Sequence, residues 1–347
     1  MILPETFTRD WLVAVGKRFP KPVNLKLLEK VVWALRLLEQ LQIYDLSFVF
    51  KGGTSLVLHY EQPRRFSIDV DIIMPQRPVN LTECFDAIVE AGAFVRWEDD
   101  SLRASHAGVP VGHFKFFYTS AVDPQHPLEP ILLDILFAEV KYPHVIQKAI
   151  RHPWIRTEEP LVSVRLPDTD SLLGDKLTAF APNTTGILYT KQRPAEIIKQ
   201  LFDVAQLFDA VADLSVVGQA FLHMAQEEIA YRRLPITPAD VLTDVVNTAL
   251  LITRRDDKDP YFTQLQEGIR RLASFAIGPF TIEGAILASA KAAYLSRLLT
   301  ESATTFRRYA QPAEIADWQL NDPTVNRLNK LKKSQPEAFF YWYLAIH

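Results

Sequence analysis

The sequence predicts an α+β chain in which a mixed sheet with helices occupies the first half and a helical domain the second. Three observations lead there. Short β-rich runs alternate with helical patterns up to about residue 166, strand signals stop at Pro167, and amphipathic helical periods fill the rest of the chain. At about 150 residues per domain, 347 residues suit two domains, drawn at 1–166 and 167–347.

Residues 24–42 set Leu27, Leu28, Val31, Leu35, Leu38 and Leu41 at helical spacing with Lys and Glu between them, which predicts an amphipathic helix. The period then changes. LSFVF (46–50) is a short apolar run that stops at Gly52-Gly53, the only Gly-Gly pair in a chain with just 12 glycines. SLVLHY (55–60) suits a short helix, QPRR (62–65) a turn, and SIDVDIIM (67–74) a strand. LTECFDAIVEAG (81–92) reads as a helix, whereas 111–121, 131–140 and 161–166 read as strands. Beyond Pro167, Asp168 or Asp170 is placed to cap a helix through LLGDKLTAFA, and Pro194 to open another through residue 211. Similar periods recur from about 215 to 308. The link from Pro182 to Arg193 is long for a helix-to-helix connection, which suggests a working loop. The aromatic tail FFYWYLAIH is read as a terminal segment docked on the core.

Lys and Arg (38) nearly balance Asp and Glu (41), so the chain is no polycation and a nucleic acid partner needs a local patch. The longest stretch without charge, Leu177 to Thr190, contains a Pro, an Asn and a Gly, far from the roughly 20 apolar residues of a membrane span. No membrane partner is expected. The start MILPETFTRD lacks the pattern of a secretory signal, so cytoplasmic residence is the expectation. Cys84 is alone and the eight His show no metal spacing, so neither an intrachain disulfide nor structural zinc is expected, and the His are read as structural.

The chemistry centres on Asp69 and Asp71. Alternation on a strand puts both carboxylates on one face, their Cα atoms roughly 6.6 Å apart, with Ile68, Val70 and Ile72 on the other. Two such acids repel each other unless a cation lies between them, and carboxylate oxygens are the hard donors that Mg²⁺ prefers. Asp134, in another apolar strand, supplies a third carboxylate if that strand is the neighbour, and such a trio suits a two-metal phosphoryl-transfer site. The run KGGTSL ends a strand and opens a helix, so the amides of Gly53, Thr54 and Ser55 are donors at the positive end of a helix dipole, suited to phosphate. It is not a Walker A loop, since no Lys-Ser or Lys-Thr follows at the required spacing. Arg64 and Arg65 precede the acids and can grip phosphate or simply form an exposed basic turn; Ser67 orients the turn or touches phosphate.

These residues resemble the AbiEii/AbiGii nucleotidyltransferase toxins, MenT-like members of the DNA polymerase β-like nucleotidyltransferase superfamily. The family's KGG-T-[SA] and R-x-S-x-D-[hydrophobic]-D elements match Lys51, Gly52, Gly53, Thr54 and Ser55, then Arg65, Ser67, Asp69 and Asp71, without a gap. Its later K-[LI]-x-A and K-D-x-x-D elements fall on Lys176 and Asp203, with Gln200 standing where the family has the first acid. The resemblance covers about residues 45–210. It implies a polymerase β-like sheet domain with a helical domain after it, in which Asp69, Asp71, Lys176 and Asp203 are required for activity and Lys51 to Ser55, Arg65, Ser67 and Lys176 hold the nucleotide. Asp69, Asp71 and Asp134 would bind two Mg²⁺. The implied reaction moves a nucleoside monophosphate from an NTP to an RNA acceptor, the tRNA 3′ end, and the implied partner is an antitoxin encoded nearby.

Residue by residue, simpler readings stand beside these. Lys176 is otherwise a solvated helix lysine near Asp175, and Asp203 otherwise pairs with Lys199 on a helix surface. Lys191 and Arg193, with the doublets Arg232-Arg233, Arg254-Arg255, Arg270-Arg271 and Arg307-Arg308, either face RNA or are ordinary solvated faces. Two other functions use the same residues: transfer to an antibiotic or protein hydroxyl, and a nucleotide-binding module without turnover.

Overall fold

In the computed structural model, which describes residues 1–100 and 110–347, the chain divides into two units. The first comprises Met1–Val140, His144–Asp168 and Phe275–Gly278, and the second Lys141–Pro143, Thr169–Ser274 and Pro279–His347. Two consecutive blocks were expected; instead, a short segment from deep in the helical half belongs to the sheet unit.

The first unit is built on seven strands: β1 (Val49–Lys51), β2 (Val70–Met74), β3 (Arg96–Asp99), β4 (Val111–Thr119), β5 (Leu128–Phe137), β6 (Val145–Ala149) and β7 (Ser163–Pro167). Their order is β3-β4-β5-β2-β1-β7-β6, with β2·β5 and β1·β7 parallel and the other pairs antiparallel, so the sheet is mixed. Alternation along β4 buries Gly112, Phe114, Phe116 and Tyr118 and turns His113, Lys115 and Phe117 to the other face. Helices α1 (Arg9–Gly16), α2 (Leu25–Ile43), α3 (Gly52–His59) and α4 (Leu81–Glu90) complete the unit. Leu28, Leu35 and Leu38 of α2 and Phe85 of α4 join Phe50, Ile72, Phe114, Phe116 and Ile135 in one core cluster. Each such side chain contributes about 1.5–3 kcal/mol of burial.

Helix α2 buries more than its apolar stripe. Glu29 and Glu39 are both buried and both satisfied. Glu29 accepts from Ser120 Oγ (2.7 Å) and the Ala121 amide (2.6 Å), and Glu39 accepts from the Ile2 amide (2.6 Å). Burial nevertheless raises the Glu29 pKa. The Phe275–Gly278 segment lies against the basic turn: the Phe66 amide donates to Phe275 O (2.9 Å), the Ile277 amide to Arg64 O (2.8 Å), and Arg65 bridges Ala276 in antiparallel fashion.

The second unit contains α5 (Thr169–Ala179), α6 (Pro194–Phe208), α7 (Leu214–Arg232), α8 (Pro238–Arg254), α9 (Pro260–Leu272), α10 (Ile282–Thr300), α11 (Leu331–Ser334) and α12 (Pro336–Ile346). Pro194 opens α6 as its pattern predicts. Helix α10 is nearly apolar around its circumference and is buried, as such a helix must be. The aromatic tail forms α12 with Phe339, Phe340, Tyr341 and Trp342 buried, and Trp342 Nε1 donates to Thr253 Oγ1 (3.1 Å). The loop after α5 is pinned rather than free. Asp244 accepts from the amide and Nδ2 of Asn183 (2.8 and 2.7 Å) and from Thr184 Oγ1 (2.9 Å), while Arg232 donates to Thr184 O and Gly186 O. Asp170, offered as a cap, lies inside α5 and accepts the amides of Ala212 and Asp213 ahead of α7.

Candidate functional site

Strand β1 ends at Lys51 and α3 begins at once on Gly52, whose φ of +77° favours glycine. A Cβ there would lie 2.1 Å from Asp71 Oδ2, and one on Gly53 would lie 2.4 Å from Arg65 Nη2 and 2.7 Å from Ser67 Oγ. Each glycine therefore makes room for a different polar group. The turn gathers the carboxylate of Asp71, the guanidinium of Arg65 and the hydroxyl of Ser67 around one stretch of backbone.

The hydroxyls of α3 serve the fold. Thr54 Oγ1 donates to the carbonyl of Asp69 (2.5 Å) and Ser55 Oγ to that of Gly52 (2.8 Å), both from fully buried side chains. Gly52, with its positive φ, precedes the regular turns, and helix geometry leaves the first amides of α3, Gly53 and Thr54 among them, without intrahelical acceptors at the end where the sequence placed the donors. At the far end of α3, His59 Nε2 meets the Pro167 carbonyl (2.9 Å) and Lys148 Nζ donates to Leu58 O (3.1 Å). Burial, with the Lys148 charge second, lowers the His59 pKa to about 4.

Across the sheet, strand register pairs Lys51 with Asp71, Asp71 with Asp134, and Asp134 with His113. Register partners share a face, so four neighbouring strands present a row of Lys, Asp, Asp and His. Asp69 stands just ahead of β2, while Val70 and Ile72 are buried on the opposite face as the alternation predicted. His113 Nδ1 lies 2.7 Å from Asp134 Oδ1, with side chains 18% and 32% exposed. Sequence analysis missed His113. A single strand histidine carries no spacing signal, and only the cross-strand register reveals its partner.

Among the described residues, no three His, Cys, Asp or Glu side chains gather as a metal-holding group. The row nevertheless fits a divalent cation in its chemistry: carboxylate oxygens are hard donors, and the Gly52 cradle admits Asp71 where any side chain would exclude it.

Arg65 does not form an exposed turn. It is 5% exposed, and its Nη1 donates to the Phe66 carbonyl (3.0 Å), whereas Arg64 is exposed. In the second unit, Lys176 of α5 is likewise not a solvated lysine. Its ammonium lies 3.2 Å from Asp203 Oδ2 and 3.1 Å from Gln200 Oε1, both on α6, with side-chain exposures of 7% for Lys176 and 0% for Asp203. Gln200, the departure from the family pattern, thus accepts from Lys176. Lys199 pairs with Glu196 (2.7 Å), and Asp175 accepts from the Tyr142 hydroxyl (2.6 Å). The surface pairings considered from sequence are therefore replaced by a buried one.

Lys191 and Arg193 are exposed. Arginines from every doublet are engaged locally: Arg232 with Glu228, Arg255 with Glu283, Arg270 and Arg271 with Glu267, Arg307 with Glu314, and Arg308 with the carbonyls of Phe208, Asp209 and Val211.

The family described as nucleotidyl transferase AbiEii toxin, type IV TA system, matches residues 36–274. Among solved structures, the chain is similar to a crystal structure of an H. pylori protein designated a nucleotidyltransferase, with a TM-score of 0.46 and 14% identity, covering 80% of this chain and 97% of that one. None of the curated proteins matches.

Proposed function

Because the chain belongs to the AbiEii nucleotidyl transferase toxin family of type IV toxin–antitoxin systems, we propose that it transfers a nucleoside monophosphate from an NTP to the 3′ acceptor end of tRNA, blocking translation. The observation that carries this reading is the glycine doublet, whose missing side chains admit Asp71, Arg65 and Ser67 to one turn. The amides of Gly53, Thr54 and Ser55 would receive phosphate oxygens, with Lys51 and Arg65 supplying positive charge and Ser67 a hydroxyl donor. Asp69, Asp71 and Asp134 would hold two Mg²⁺, which when bound offset the charge of the triphosphate. The acceptor hydroxyl would form its bond to the α-phosphorus as the bond to pyrophosphate breaks. Lys176 and Asp203 are assigned to the reaction as a pair, a reading supported by their family positions and by an ion pair kept in spite of its desolvation cost. Exposed Lys191 and Arg193 suit the acceptor's phosphates. A tRNA substrate implies work in the cytoplasm, and no described helix is long and apolar enough to cross a membrane.

A second reading keeps the transfer and replaces RNA by a small-molecule or protein hydroxyl. It is favoured by the local engagement of the arginine doublets with acids and carbonyls. Incubation with each labelled NTP, total tRNA and Mg²⁺ tests both. Label in RNA that is lost in Asp69→Ala supports the first reading; label only in small molecules or protein supports the second. Label in RNA that persists in Asp69→Ala overturns the assigned site.

A further inference from the structure

We propose that His113 is a positioning residue for Asp134: by donating from Nδ1 to Oδ1 it fixes the carboxylate and leaves Oδ2 as the oxygen that a divalent cation would take. This inference rests on the nucleotidyl-transfer reading and deepens it. The chemistry of the pair sets the direction of the bond. An ionised carboxylate only accepts, so at 2.7 Å the proton between the two groups belongs to Nδ1. A histidine suits this position better than a lysine or arginine would, because a neutral imidazole can donate that bond without placing a permanent positive charge beside the cation's ligand.

The scaffold is rigid enough to make the bond matter. β4 and β5 pair without interruption from Val111↔Leu136 to Thr119↔Leu128, and the opposite face of β4 is anchored by Phe114, Phe116 and Tyr118 in the core. The backbone of His113 therefore cannot drift relative to Asp134. Through its own partner Asp71, Asp134 stands one strand from the Gly52 cradle. A cross-strand pair that only stabilises the sheet would be worth about 0.2–1 kcal/mol and would leave cation affinity alone. Hydrogen-bonding partners of metal ligands behave otherwise: their loss weakens metal binding roughly 10–100-fold.

The test is titration of the purified full-length chain with Mn²⁺ alone, read by the electron paramagnetic resonance signal of the free ion, with transfer measured separately across Mn²⁺ concentrations. Wild type should bind Mn²⁺ and Asp71→Asn should lose it. His113→Ala should then bind roughly tenfold or more weakly, with most of its transfer rate restored at saturating Mn²⁺. His113→Asn, whose amide nitrogen can stand where Nδ1 stands, should stay within about threefold of wild type, whereas His113→Gln, whose longer arm misplaces the donor, should fall with the alanine variant. This contrast also serves if His113→Ala fails to fold. Equal Mn²⁺ affinity in His113→Asn and His113→Gln, or wild-type affinity in His113→Ala, overturns the proposal while the Asp71 result leaves the site reading standing. Mn²⁺ binding absent from wild type, or unchanged by Asp71→Asn, overturns the site reading and the role of His113 with it.

Discussion

Replacing Lys176 by alanine should destabilise the helical unit by about 3–5 kcal/mol, before any effect on chemistry. The ammonium it removes lies 3.2 Å from a carboxylate that is 0% exposed, and also donates to Gln200 at 3.1 Å. Asp203, 0% exposed, would lose the Lys176 ammonium, and Gln200 would lose that donor. For a unit of this size, roughly 2–4 °C of melting temperature accompanies each kcal/mol, so the melt should fall by roughly 6–20 °C. The double variant Lys176→Met/Asp203→Leu removes both charges together and should recover most of that loss, since apolar replacements of buried pairs are commonly neutral or stabilising. Differential scanning calorimetry on wild type, both single variants and the double closes the cycle. A Lys176→Ala melt within about 2 °C of wild type would refute the argument that this pair is buried and mutually dependent. The double variant has a second use: folded but without transferase activity, it assigns the pair to the reaction, whereas full activity reduces the pair to a fold element.

Three further outcomes are expected. Gly53→Ala forces a methyl group to within 2.4 Å of Arg65 Nη2 and should weaken NTP binding at least tenfold while costing about 1–3 kcal/mol, measured by calorimetric titration and urea unfolding. Stability should fall as pH drops from about 6.5 toward 4. Burial lowers His59 and His152 to about 4, so in that window the unfolded chain binds more protons than the folded one, and the loss levels off below it. His152 shows why its ring stays neutral: Nδ1 accepts the Trp154 amide (3.2 Å) while Nε2 faces the Tyr60 carbonyl (3.2 Å). Urea midpoints at pH 7.5 and 5 should differ for wild type and much less for His59→Gln/His152→Gln. Asp244→Ala should loosen the loop after α5, leaving the Asn183 amide without its acceptor and the Thr184 hydroxyl with only the longer contact to the Ala181 carbonyl (3.5 Å), and should raise proteolytic cleavage between residues 182 and 193.

The parts of the fold that were legible are those whose signal is local. An apolar run stopped by two glycines, a helix behind them and a D-x-D strand succeed one another within 30 residues, and each needs only its own pattern. Pro194 marked the start of α6 for the same reason. The missed strands, β3 and β6, are the two edges of the sheet, short and rich in polar residues, as edge strands tend to be, so neither shows a buried alternation. Partnerships made at long range were also hidden. Nothing near His113 announces Asp134, and the surface pairing of Asp203 with Lys199 was a reasonable local reading until the crossing of α5 and α6 brought Lys176 to it. The donors that satisfy the buried Glu29 and Glu39, namely Ser120, Ala121 and Ile2, likewise come from elsewhere in the chain.

The return of residues 275–278 to the sheet unit has a genetic consequence. Stop codons placed progressively earlier in the reading frame would remove the carbonyl that receives the Phe66 amide and the amide that reaches Arg64, and so would unseat the stretch beside Gly53 from a point more than two hundred positions downstream. An N-terminal fragment ending at Asp168 would contain the seven described strands and still lack the peptide that pairs with Arg64–Phe66, so a self-sufficient sheet unit would have to be made by grafting rather than by trimming.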